Sequence, residues 1–374
     1  MIYLDHAAST PIVEEALNIY TKSLVQDFAN PSAAHKLGKG SMKKVDRARL
    51  QILKSLKAKK DDQLVFLSSA TEANNLVIKG LELNSESRVH YSLGDHPSTI
   101  EPVRSLECIK VEVPLIYGGS IDEEALLESL DSNSKLIVLS HVNNQSGGLY
   151  DINSLAIKIK KITPDIHIHI DGVQALTKVS VELSTGIDSY TISGHKIGAP
   201  KGIGALFLKK GVILNVQLHG GGHEFGIRSS TVNTPLIISF AEAIRIGLES
   251  RVKSLEHVLK INQEAREHLK SLGLDLEFPF SIENSSPYIL SFLLPGISSD
   301  IVLRHLEMED IYVASSSACS SKAKGFNAGF AAMKIDECKH KFVLRISFSK
   351  NTTTEEVGLF TSALSKIIKD IKSL

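Results

Sequence analysis

Cysteine is scarce in this chain, an excess of either charge is absent, and no long apolar run occurs. Only Cys108, Cys319 and Cys338 are present. An odd number with no CxxC pair excludes a disulfide framework and gives no support to a structural zinc site. Lys and Arg number 42 and Asp and Glu also number 42, with no long block of like charge. That balance argues against nucleic acid or an anionic membrane as the main partner and favours a small substrate. The opening "MIYLDHAAST" lacks a basic stretch followed by an apolar core, and nowhere do about 18 apolar residues run uninterrupted. A cytoplasmic location and no membrane contact are therefore expected. What is present is ample apolar material, 43% of 374 residues against 22% charged, enough for about two or three packed domains.

From about residue 60 to 210, short β-rich runs alternate with helical spacing. The strand-like runs are "QLVFLSS", "RVHYSL", "IKVEVPLI", "KLIVLSHV", "IHIHID", "YTISG" and "GALFLKK", and the pattern predicts a mostly parallel sheet covered by helices. Between them, "TEANNLVIKGLEL", "HPSTIEPVRSLE" and "DINSLAIKIKKI" carry apolar residues at helical intervals, with Thr71, Asp95 and Asp151 near their starts as caps or phosphate-facing groups. In such sheets ligands sit beyond the C-terminal strand ends, where helix N-termini favour anions. After residue 235 a long amphipathic stretch predicts one or two helices leading to a small α+β domain. The division is expected at 15–255 for the large α/β domain, with 1–14 and 256–374 forming the small one.

Polar clusters gather at the strand ends. In "SGHKIGAPKGIGAL" a strand runs into Ser193, Gly194, His195 and Lys196. Beside glycines a lysine is commonly a solvated loop residue, yet one held in a confined pocket can bond covalently to an aldehyde cofactor. In "IHIHIDGVQA", Asp171 ends a strand and Gln174 follows. A carboxylate there could keep a pyridinium nitrogen protonated. Strand alternation also sets His167, His169 and Asp171 on one face, a spacing that zinc hydrolases use and that plain sheet packing also produces. "LSSATEANN" offers Ala70 and Thr71 at a helix start, suited to a phosphate or to simple capping. No GxxxxGK[ST] occurs, and "GGGHEFGIRSST" lacks a dinucleotide-site context. His96 in "GDHPST" and Asn143 and Asn144 in "SHVNNQSGG" stand at further strand ends, where each is either structural or cofactor-facing.

Taken together these clusters are far more specific than any one of them. "YLDHAAST", "NPSAAH", "SSATEANNLVIKG", "DHPS", "HVNNQSG", "HIDGVQA", "SGHKIGAPKGIGAL", "GGGHEFGIRSST", "SSSACSS" and "LRISFSKNTTTEE" form an ordered series. It spans almost the whole chain and resembles the pyridoxal-phosphate-dependent cysteine desulfurases of the class V aminotransferase family. The resemblance implies fold-type I architecture, a homodimer, bound pyridoxal 5'-phosphate and conversion of L-cysteine to L-alanine. Sulfur would pass to an enzyme persulfide and then to an acceptor protein in iron–sulfur cluster assembly or thiolation.

By the same resemblance, Lys196 carries the cofactor, Asp171 pairs with its ring nitrogen, and His96 stacks on the ring and moves protons. Asn144 and Gln174 face the phenolic oxygen. Ala70, Thr71, Ser193 and His195 hold the phosphate, with Thr231 reaching it from the neighbouring subunit. Arg345 clamps the substrate carboxylate, with Asn144 also in contact with the substrate. Cys319, on what the family implies is a mobile loop, attacks the substrate sulfur. Two places depart from the pattern: "EFGIRSST" has Phe225 and Ser230 where Arg and Gly are usual, and Ser317 or its neighbour replaces a glycine. The "SSSACSS" form resembles the longer-loop group. Two rivals follow, a selenocysteine lyase of the same family and, more remotely, a zinc-dependent hydrolase built on His167, His169 and Asp171.

Overall fold

A computed structural model describes residues 1–183, 186–315 and 326–373. The chain begins with β1 (Ile2–Tyr3), α1 (Glu14–Gln26) and α2 (Lys36–Ser55). An alternating series follows: β2 (Gln63–Leu67), α3 (Ala70–Gly80), β3 (Arg88–Tyr91), α4 (Pro97–Arg104), β4 (Ile109–Glu112), α5 (Glu123–Glu128), β5 (Ser134–Ser140), α6 (Ile152–Ile162) and β6 (His167–Asp171). After it come β7 (Ser189–Ser193), β8 (Gly204–Leu208) and the 38-residue α7 (Thr234–Ser271). The C-terminal part holds β9 (Ile289–Leu293), α8 (Ser299–Met308), β10 (Ile311–Tyr312), β11 (Ala314–Ser315), α9 (Ala328–Ala332), β12 (Val343–Ser347) and α10 (Thr354–Ser373). Among the described residues no helix is long and apolar enough to cross a membrane.

The seven-stranded sheet runs β2-β8-β7-β6-β5-β3-β4. Its pairings are parallel from β7 through β6, β5 and β3 to β4, while β8 lies antiparallel to both neighbours. Alternate residues of one strand join different cores. Leu64 and Phe66 of β2, Ile137 and Leu139 of β5, and Ala205 and Phe207 of β8 pack with α2, α6 and α7. Val65 and Leu67 of β2 and Leu206 and Leu208 of β8 pack instead with α3, and Leu136 and Val138 of β5 pack with Ile78 and Val103. Period-two alternation thus covers both faces with helices, which is why these strands read as nearly continuous apolar runs.

The antiparallel β11-β12-β9 sheet packs in a separate core with α8, α10 and the far half of α7, and Leu4 joins it beside the parallel β1-β10 pair. The helix α7 serves both cores, through Phe240 and Ile244 in one and Val258, Ile261 and Leu269 in the other. Its N-terminus is capped by Asn233, whose side chain accepts from Leu236 N at 3.2 Å. The consequence for the site is positional: β2, β3, β5, β6 and β7 all end at the same edge of the large sheet, against β12.

Candidate active site

Those strand ends enclose a cavity of about 360 Å³ lined by Ala7, Ala8, Ser69, Ala70, Thr71, His96, Ser98, Asn144, Asp171, Gln174, Ser193, His195, Lys196 and Arg345, among others. Each residue arrives there for a local reason. Ala70 and Thr71 open α3, whose cap is Ser69 rather than Thr71: the Ser69 hydroxyl accepts from Glu72 N at 3.2 Å. Thr71 in the first turn is thereby left to face the cavity at the positive end of the helix. Gly204 of β8 makes that approach close, since a Cβ there would come within 2.9 Å of the Ser69 carbonyl carbon and 3.1 Å of Ala70 N. At α4 the cap is His96 itself, not Asp95. Asp95 instead binds Ser140 N at 2.9 Å and Ser140 Oγ at 2.5 Å. Burial pushes its carboxyl up to about 7, with Asp171 adding to the rise against the Ser140 bonds. Asp151 does cap α6, accepting from Ser154 N at 3.0 Å.

Asp171 ends β6 and accepts from Asn74 Nδ2 at 2.9 Å on one oxygen and Val173 N at 3.0 Å on the other. Asn74 Oδ1 lies 3.0 Å from His169 Nε2, and Ser189 Oγ stands 2.8 Å from His169 Nδ1 and 2.7 Å from His167 Nε2. The histidines are thus committed to sheet packing, buried, and held neutral. Desolvation brings His167 down to about 4 and His169, with His167 adding to the effect, down to about 3. This sets the zinc reading aside: both His169 nitrogens and His167 Nε2 are engaged by Ser189 and Asn74, and among the described residues no His, Cys, Asp and Glu group could hold a metal.

Lys196 Nζ donates to the Ala7 and Ala8 carbonyls at 2.7 and 2.8 Å, so the opening "DHAAST" segment forms one wall. Gln174 Nε2 shares the Ala7 carbonyl at 2.8 Å. Its Oε1 accepts from Lys178 Nζ at 2.7 Å. Lys178 is buried, and desolvation, helped by Lys196 and Arg345, lowers it to about 7. His195 is likewise pulled down to about 4 by desolvation and by Lys196, Lys201 and Lys178. On the opposite wall Arg345 of β12 donates to Asn144 O and to Asp5 Oδ1, each at 2.8 Å, while its Nε is buried without a partner. A buried unmatched guanidinium donor at a cavity wall suits an incoming carboxylate.

The donor set fits an aldehyde cofactor with a phosphate: an amine at Lys196, a carboxylate at Asp171, an aromatic imidazole at His96, and hydroxyls at a helix N-terminus. Thr231 is the exception. It is exposed and lines a different cavity with Ser68, Glu224 and Arg228, so within one chain it does not meet the others. Phe225 has φ 62° and its ring lies 4.8 Å from Arg49 Cζ. The same guanidinium grips Glu224 through two 2.8 Å bonds, which anchors the glycine-rich loop against α2 and β2. Cys319 and Ser317 lie outside the described residues. Asn143, weighed at the sequence level, is fully buried and turns the chain: its Oδ1 accepts from Gln145 N and Ser146 N, each at 2.9 Å.

Sequence reasoning missed Asn74, Lys178 and Asp5. Asn74 was legible as a polar residue on the apolar face of α3, and Lys178 as the position one turn beyond Gln174 on the stretch leaving Asp171. Nothing local marked Asp5, because its contact with Arg345 spans nearly the whole chain.

The family model for aminotransferase class-V matches residues 2–360. A NifS/IcsS protein homolog of Lactobacillus delbrueckii subsp. bulgaricus is 30% identical over 383 aligned residues, covering 100% of this chain and 99% of the relative. The cysteine desulfurase IscS of Dictyoglomus turgidum is 29% identical, covering 100% of this chain and 96% of its own. Among solved structures, a NifS-like protein superposes with a TM-score of 0.92 at 26% identity, over 98% of this chain and 99% of that one. A structure described as SspA in complex with cysteine gives 0.79 at 26% identity, over 94% of this chain and 100% of that one.

Proposed function

Because the chain belongs to the class-V aminotransferase family, we propose that it is a cysteine desulfurase that uses pyridoxal 5'-phosphate to convert L-cysteine to L-alanine and passes the sulfur onward. The observation that carries this reading is the convergence of Lys196, Asp171, His96 and Arg345 on one cavity, with full-length similarity to proteins named cysteine desulfurase. Pyridoxal phosphate, when bound, supplies an electron sink that lets bonds around the substrate's α-carbon ionise.

The chain's own groups do the rest. The Lys196 amine holds the cofactor. Asp171, fixed by its bonds to Asn74 and Val173, offers its charge to a ring nitrogen. Thr71, Ser193 and His195, with Ala70 at the α3 N-terminus, hold the phosphate, and Thr231 of a second copy completes that site in a homodimer. Gln174 and Asn144 meet the ring's oxygen edge. Arg345 takes the substrate carboxylate with its planar fork, and His96 handles protons beside the ring. Cys319 attacks the substrate sulfur and keeps it as a persulfide for an acceptor protein of iron–sulfur assembly or thiolation. This last role rests on the sequence motif. A thiolate is the attacking form, so a proton must leave Cys319 first.

The test is incubation of cofactor-loaded protein with L-cysteine and quantification of alanine, with Lys196→Ala alongside. Alanine from the wild type and none from the variant is the expected result. A loaded wild type that forms no alanine from cysteine, but releases it from selenocysteine, would transfer the protein to the lyase reading.

A further inference from the structure

The helix α3 buries one asparagine, Asn74, that is fully inaccessible and bonds three side chains on two other elements, β6 and α4. Its Nδ2 donates to Asp171 Oδ2 at 2.9 Å and to Ser98 Oγ at 3.0 Å, and its Oδ1 lies 3.0 Å from His169 Nε2. Ser98 in turn meets His96 Nδ1 twice, through its backbone N at 3.1 Å and its hydroxyl at 2.9 Å.

The direction of each bond follows from groups that cannot reverse. An ionised carboxylate only accepts, so the Asn74 atom against Asp171 is the NH₂ group, and its oxygen faces His169. His169 must then carry its proton on Nε2. At the other end, a backbone N–H only donates, so His96 Nδ1 must present a lone pair. The Ser98 hydroxyl, receiving a bond from Asn74, has its own proton free to give to that same nitrogen. The neutral His96 ring is therefore left with its proton on Nε2.

We propose that Asn74 is a positioning residue, which aligns Asp171 and, through Ser98, holds the His96 ring with its proton on Nε2. On the desulfurase reading, from which the use of this site is taken, His96 then enters turnover neutral, with Nε2–H as a hydrogen-bond donor and Nδ1 as the only ring atom that can take up a proton. Protonating Nδ1 would set two N–H groups against each other. The shift of His96 runs the same way, downward through desolvation and Lys196, with Asp171 opposing. The chain of bonds also explains why a polar residue occupies the apolar face of α3: Ala there would leave Asp171 Oδ2 and His169 Nε2 each without its side-chain partner.

The experiment is long-range ¹H–¹⁵N correlation on histidine-labelled, cofactor-loaded protein, with His96 assigned from the spectrum of His96→Asn. Wild type should show Nε2 protonated and Nδ1 bare. Asn74→Asp, which keeps the shape but removes both donated bonds, and Ser98→Ala should each shift the His96 Nδ1 resonance. Asn74→Asp should also weaken binding of added pyridoxal phosphate, read by absorbance. In both variants kcat should fall about 10- to 100-fold, the rate equivalent of losing a hydrogen bond to a charged or proton-transferring group, with the acid limb of the kcat pH profile displaced. A wild-type spectrum with the proton on Nδ1 would overturn the proposal, as would variants whose His96 resonances and pH profile match wild type. The resonances are read without substrate. Failure to form alanine would therefore count against the desulfurase reading and leave the tautomer result standing.

Discussion

Arg345 lines the cavity with two of its donor nitrogens already engaged, by Asp5 and by the Asn144 carbonyl, and Nε unmatched. If this fork takes the substrate carboxylate, Arg345→Lys loses the planar two-point bond while keeping charge. The KM for L-cysteine should rise on the order of 10- to 100-fold with the cofactor's absorbance unchanged. Steady-state kinetics beside the spectrum would show it, and an unaltered KM would remove Arg345 from the substrate's reach. At this scale the sequence was informative where a residue's chemistry is local. Lys196 follows its strand by three residues, and Asp171 closes another. It was silent on partners. Nothing in "YLDHAAST" says that Asp5 meets Arg345, or that the Ala7 carbonyl accepts from both Lys196 and Gln174.

Most strands of the large sheet were legible because strands buried on both faces read as apolar runs; β4, largely exposed, was legible from its alternation instead. Their caps were less so. At α3 and α4 the capping residues are Ser69 and His96, two residues before the expected Thr71 and one after the expected Asp95. Cap choice depends on which side chain turns back to the helix, and here a hydroxyl two residues off and an imidazole one residue off make that turn. The glycine-rich loop is a different case. Its anchor is the Arg49–Glu224 pair, whose side chains are 11% and 4% exposed, with Phe66 N donating to Glu224 at 2.7 Å. Glu224→Ala leaves a buried guanidinium and a strand N–H unmatched, so stability should drop by about 3–5 kcal/mol. Urea unfolding of the variant would measure this. A loss under about 1 kcal/mol would mean that water reaches the pair after substitution.

Across the whole molecule, burial lowers the basicity of several histidines. Desolvation is the first cause in each of His6, His90, His141, His167 and His195, all brought down to about 4, and in His169, brought to about 3. A base whose folded value lies below its ordinary 6.5 supports the fold above that pH, and the support is lost as pH falls toward about 4. Asp95 works in the opposite sense: raised to about 7, its contribution is present at low pH and lost as pH rises through 7. His96 and Lys178 are lowered as well, so the lowered bases outweigh Asp95 and the net effect is a loss on acidification. The urea midpoint should therefore be lower at pH 5 than at pH 7.5, and a flat or reversed dependence would show that these histidines gain protons without unfolding. The two-core arrangement behind this burial was only partly legible, since α7 reads as a single amphipathic stretch yet changes the core it faces midway along its length.

The central claim is that this fold delivers sulfur from cysteine to its own thiol. It is tested most directly by mixing cofactor-loaded protein with one equivalent of L-cysteine and stopping the reaction after a single turnover. Alanine is then counted, and the peptide containing Cys319 is weighed by mass spectrometry, with Cys319→Ala treated identically. The account predicts alanine matched one for one by a persulfide on Cys319 in the wild type, and neither product from a variant that retains the cofactor's absorbance. Alanine formed equally well by Cys319→Ala, or a wild-type Cys319 peptide of unchanged mass after alanine release, would contradict it.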